Sequence, residues 1–185
     1  MGVIDPRRAL YRFCQFFQTL GAGLTPLTPE ERSAAWEQLP ESARHPFDAM
    51  PPSDQRHSLK VLVALQAAGY DHPALLQAAL LHDCAKCEGG VRLWHRVALV
   101  LLKAFWPALP ARWAAEPAPA RADWRYPMWA HLHHPERGAE LAAAAGCDPL
   151  AVTLIRRHQE PLTAHAGDPS LDGLLAALQA ADDDN

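Results

Sequence analysis

A chain of 185 residues fits one domain and can bury a core without disulfide or metal staples. Its 17 Lys and Arg against 21 Asp and Glu leave a net charge of −4, and no dense basic stripe occurs. That argues against a nucleic-acid polymer as partner, since such binding needs clustered cations to displace counterions.

Helix signals follow one another along the chain. Residues 1–50 read as a helical extension on a main domain of residues 51–185. Within the extension, Thr28-Pro29-Glu30-Glu31 combines a capping box with proline at the first helical position, opening a segment that closes near Leu39-Pro40. Pro51-Pro52-Ser53 opens the next, with Gly69 as its stop, and Asp71-His72-Pro73 starts one that runs through Leu75 to Asp83. The C-x-x-C of Cys84 and Cys87 lies inside this helical pattern with no second pair. Reduced thiols of a cytoplasmic protein are expected there, rather than a zinc or redox site.

The most apolar stretch, residues 97–109, contains Lys103 and Pro107 and is too short to span a bilayer. Association with a membrane surface through 91–112 stays open, and a helix packed on the core is the plainer expectation. The first residues lack the Lys/Arg-then-apolar order of a signal peptide, so none is expected. Residues 109–127 are proline-rich and read as a loop or lid. Pro135 opens a helix ending at Gly146, and Asp148-Pro149 and Asp168-Pro169 are cap-plus-proline starts leading to His158 and Asp182. Strand alternation is absent beyond three or four residues, so the fold class is all-α.

Helical spacing carries the apolar stripes onto polar residues. Val61, Ala64 and Leu65 lead back to His57. Leu75, Ala78 and Ala79 lead to His82, and Leu76, Ala79 and Leu80 to Asp83. Gly138 and Leu141 point back to His134; Ala151, Leu154 and Ile155 lead to His158; Leu171, Leu175 and Leu178 lead to Asp182. Burying one imidazole or carboxylate without a partner costs about 2 kcal/mol or more. A shared cation answers all of them together, because imidazole and carboxylate are ligands of Zn, Mn and Fe. His45, His72, His95 and His165 read as surface residues, while His131 and His133 crowd His134 closely enough to touch a substrate.

These residues match a known pattern. Arg56-His57-Ser58-Leu59, the doublet in Leu80-Leu81-His82-Asp83-Cys84-Ala85-Lys86, and the late Ala181-Asp182 resemble the H…HD…D signature of the HD superfamily over residues 53–185. His134-Pro135-Glu136-Arg137-Gly138 and Ile155-Arg156-Arg157-His158 are similar to two steps of its binuclear branch, seen in HD-GYP domains and HD-type dinucleoside tetraphosphatases. The resemblance implies a single HD-domain helical bundle. It also implies His57, His82, Asp83, His134, His158 and Asp182 as ligands, with Asp83 bridging two metals. Gln159 stands where HD-GYP domains carry a further His, and no Gly-Tyr-Pro follows, so the resemblance does not extend to a third metal or cyclic di-GMP hydrolysis.

The implied activity is phosphohydrolase chemistry with one or two divalent ions (Mn, Fe, Zn, Mg, Ni or Co). A metal-activated hydroxide attacks, and Lys86 holds a phosphate oxygen. Asp83 and Lys86 are the residues expected to act in catalysis. The substrate would be a small phosphorylated molecule, a nucleotide among the candidates, with the tryptophans of 91–129 available for stacking. An HD-type di-iron oxygenase and a non-catalytic metal- or nucleotide-sensing module use the same ligand set. Oligomeric state is left open.

Overall fold

The computed structural model describes residues 25–89, 117–161 and 168–185, with Leu109 and Arg112 in addition. Among the described residues, eight α-helices form an all-α bundle and no strand occurs. They are α1 (Pro29–Glu37), α2 (Arg44–Asp48), α3 (Pro52–Ala67), α4 (Pro73–Leu81), α5 (Tyr126–Leu132), α6 (His134–Ala144), α7 (Pro149–Arg157) and α8 (Pro169–Asp183). Short 3₁₀ segments span Glu41–Ala43 and Cys84–Gly89.

The helix ends are made by the residues that marked them. Thr28 and Glu31 exchange both bonds of a capping box. Asp148 accepts from the Leu150 amide at 2.7 Å, and Asp168 accepts from Ser170 and Leu171. Gly69 and Gly146, with φ of +86° and +72°, end α3 and α6. In each case the following residue bonds back to the carbonyl five positions earlier, Tyr70 to Leu65 and Cys147 to Ala142. That geometry requires the left-handed backbone glycine adopts without strain.

Apart from Pro73 and Gln77, every residue of α4 is buried, so it forms the central rod of the bundle. Helices α3 and α7 pack against it, α6 packs on α7, and α8 lies on α3 with further contacts to α7 and α4. The Gln77 side chain accepts from the Asp148 amide, fastening α4 to the start of α7.

The described part of the N-terminal extension shares this core. Ala35, Leu39, Ala43, Phe47 and Met50 belong to the same buried cluster as Leu65, Leu80 and Leu154. Polar ties reinforce the junction. Gln55 donates to the carbonyls of Phe47, Asp48 and Met50 at the end of α2, and Ser42 donates to the Ala145 carbonyl at the end of α6. Arg56 pairs with Glu31 and donates to the Thr25 and Pro26 carbonyls.

Two expectations about elements need correction. Helix α4 stops at Leu81 rather than reaching Asp83, because the His82 ring takes the Ala79 carbonyl and the chain tightens into a 3₁₀ segment. The proline-rich stretch is irregular over residues 117–125, but Tyr126 and Pro127 already belong to α5, a helix that periodicity does not reveal. The apolar stretch 97–109, apart from Leu109, lies outside the described residues. Among those described, no helix is long and apolar enough to cross a membrane.

Candidate metal centre

Helices α4, α5 and α7 end close to one another, and each end leaves carbonyl groups without a helical partner. An imidazole takes one of these carbonyls in each case. The Nδ1–H of His82 donates to the Ala79 oxygen at 3.0 Å, that of His134 to His131 at 2.6 Å, and that of His158 to Ile155 at 2.7 Å. Each bond places the proton on Nδ1, so each Nε2 carries a lone pair. The rings thereby gain a defined tautomer from the helix ends alone.

The three lone pairs turn toward Asp83. Its two carboxylate oxygens face different partners. Oδ1 lies 3.3 Å from His134 Nε2 and 3.9 Å from His158 Nε2; Oδ2 lies 3.6 Å from His82 Nε2. On the far side of His82, Asp182 from α8 puts Oδ1 at 3.4 Å from His82 Nε2 and 2.8 Å from His57 Nε2. Ring contacts of 5.4, 5.3 and 5.1 Å connect His57, His82, His158 and His134 in sequence.

Five of the six expected ligand residues sort into two groups that share one carboxylate, and Asp182 adjoins the first group through His57 and His82. His57, His82 and Asp83 offer ligand atoms within 4.8 Å of one another, and so do Asp83, His134 and His158. The second group is wholly buried, whereas His57 and Asp182 border solvent.

The arrangement fits a divalent cation and is poorly satisfied by protein groups. His82 Nε2 and Asp83 Oδ1 are buried with no hydrogen-bond partner among the described residues. His134 Nε2 faces His158 Nε2 at 3.2 Å, lone pair against lone pair. The unpartnered His82 Nε2 and Asp83 Oδ1 cost about 1–3 kcal/mol each, and a cation beside them removes the cost. The field points the same way, since three helix C-termini direct their negative ends here.

Protonation follows that field. Burial opposes charge on His82, but Asp83 and Asp182 outweigh it and raise its pKa. Burial, with His82 and His134 nearby, pushes His158 down to about 3 and keeps it neutral. Asp83 is held far below the usual carboxylate range despite its burial, by Lys86 and the neighbouring imidazoles. Asp182 is likewise lowered against its burial, by its hydrogen bond with His57 and by the nearby His82 imidazole.

Lys86, one turn beyond Asp83, sets Nζ 2.5 Å from Asp83 Oδ2 with the side chain 17% exposed. The other cations considered are committed elsewhere: Arg137 pairs with Glu88 and Glu140, and Arg157 with Glu160. His133 stacks on Trp129 at 4.1 Å, and His131 supplies its carbonyl to His134. His45 and His72 are exposed as expected, while His95 and His165 lie outside the described residues. Burial raises the pKa of Cys84 and Cys87, and Cys87 Sγ donates to the Cys84 carbonyl. Both are therefore held as protonated thiols.

Sequence reasoning missed two glutamines. Gln179, one turn before Asp182 on α8, donates to the carbonyls of both His158 and Glu160, at 2.9 and 2.8 Å. Gln159 extends its amide nitrogen to 3.3 Å from His134 Nε2. The only sequence signals for them are the spacing of Gln179 from Asp182 and the adjacency of Gln159 to His158.

Comparison with protein-family models, with curated proteins and with solved structures finds no significant match to this chain.

Proposed function

We propose that this chain is a metal-dependent phosphohydrolase of the HD superfamily, acting on a small phosphorylated substrate through a binuclear centre. One observation carries the reading. Three imidazoles, each held as the Nδ1–H tautomer by a helix-end carbonyl, aim their lone pairs at a buried carboxylate whose oxygens face two separate groups.

In this reading His57, His82, Asp83 and Asp182 hold one divalent ion, and Asp83, His134 and His158 hold the other. Such ions polarise a phosphoryl oxygen and lower the pKa of a water to about 7, so the protein need not supply its own nucleophile. Asp83 sits between the groups and carries the negative charge that both require. His134 and His158, both buried, keep their ligand atoms away from competing water. Among the described residues, Lys86 is the Lys or Arg side chain placed on Asp83, and its ammonium suits a phosphate oxygen arriving there. His57 and Asp182, more than a hundred positions apart in the chain, meet beside the His82-Asp83 doublet, which supports the superfamily assignment.

Metal analysis of protein purified without chelator is the first test, followed by a screen of phosphomonoesters, phosphodiesters, nucleotides and dinucleoside polyphosphates. Divalent metal near two equivalents, together with turnover abolished in Asp83→Ala, is expected. If Asp83→Ala kept its full metal content and activity, the centre would be wrongly assigned. Metal binding without turnover of any phosphate ester would sink the catalytic part alone.

A further inference from the structure

We infer that Gln159 is a substrate-binding residue of the centre, a neutral donor for an anionic phosphoryl oxygen that complements Lys86. The inference rests on the binuclear reading above.

Gln159 follows His158 directly and is exposed, a position where side chains ordinarily wander in solvent. Here the backbone on both sides of it is tied down. The carbonyls of His158 and Glu160 both accept from Gln179, so α8 fixes the turn that presents Gln159. Its amide then reaches the ligand atoms, with Nε2 at 3.3 Å from His134 Nε2. Because His134 keeps its proton on Nδ1, that contact needs an N–H from Gln159, which settles which end of the amide points inward.

Among the described residues, Lys86 therefore stands on Asp83 Oδ2 and Gln159 on His134 Nε2. A cation that takes the His134 lone pair removes the acceptor from Gln159. The anchored turn keeps Gln159 beside the coordination shell, where the freed N–H can donate to an oxygen that arrives with the substrate. A phosphoryl oxygen is the group that a phosphohydrolase brings to that place. One charged and one neutral donor, approaching from opposite groups of ligands, would clamp it.

Inorganic phosphate is the probe, titrated by calorimetry into manganese-loaded protein, with bound metal measured on the same samples. Gln159→Ala is expected to bind phosphate roughly tenfold more weakly at unchanged metal content, as for loss of a hydrogen bond to a charged group. Gln159→Glu, which puts an anion in the same place, should be weaker still. Unchanged phosphate affinity in both variants would overturn the inference and leave the metal centre intact. So would loss of metal from Gln159→Ala, since the residue would then be supporting a ligand. A wild-type protein that held no metal would instead defeat the binuclear reading, and this inference with it.

Discussion

Replacing Asp83 by asparagine keeps the shape of the side chain and removes the charge that two groups of ligands share. The consequence differs in kind from loss of any single histidine. Each bound ion stabilises the fold by about 2.7 kcal/mol when free metal is a hundred times its dissociation constant. Two ions give about 5 kcal/mol, and in a domain of this size each kcal/mol moves the melting temperature by about 2–4 °C. Wild-type protein should therefore gain about 10–20 °C on adding saturating manganese. Asp83→Asn should gain almost nothing, because its single carboxylate belongs to both groups. His57→Ala and His134→Ala each damage one group and should keep roughly half the gain. Differential scanning calorimetry with and without metal measures the shifts. The gain within each variant is the quantity compared, so any change in metal-free stability cancels. A metal-induced shift in Asp83→Asn equal to that of His57→Ala would refute the shared-carboxylate geometry.

Three further outcomes are expected. Lys86→Met should retain its metal and lose about a hundredfold in kcat/KM toward the best substrate found, the cost of removing one donor from a preorganised site; steady-state kinetics beside metal analysis checks this. At Gly138 an added Cβ would lie 3.3 Å from Ile155 Cγ2, 3.6 Å from Cys84 Sγ and 3.7 Å from the His82 carbonyl. Gly138→Leu should therefore cost about 1–3 kcal/mol in urea unfolding and weaken metal binding as α6 is wedged from His82. In chelated protein the depressed His158 makes stability fall as pH drops from 6.5 toward 3, because only the unfolded chain then takes the proton. The raised His82 makes it fall as pH climbs above 6.5, so urea midpoints should peak near that value, and a flat profile would contradict both assignments.

Much of the centre is legible in the sequence because helix geometry is local. Thr28, Asp148 and Asp168 cap their own first turns, Gly69 and Gly146 end their own helices, and periodicity identifies inward faces without knowledge of any neighbour. On that ground alone His57, His82, Asp83, His134, His158 and Asp182 fall on inward faces. Even the tautomers are set locally, each ring bonding a carbonyl three residues back, although only the observed helix ends show those carbonyls to be available.

What periodicity leaves undetermined is which inward faces meet. That choice comes from packing α3, α7 and α8 around α4, a matter of side-chain volumes summed over the whole core. Only packing divides the ligands into His57 and Asp182 on one side of Asp83 and His134 and His158 on the other. Only packing brings Gln179 onto the carbonyls of His158 and Glu160, contacts between residues about twenty positions apart that no local rule requires. Short α5 escaped notice for the same reason, its seven residues being too few for a periodic signal. The sequence alone marked most of the helices, many of their ends and the residues turned inward. Tertiary structure decided their meeting at Asp83, because a helix carries the code for its own face and none for its neighbour's.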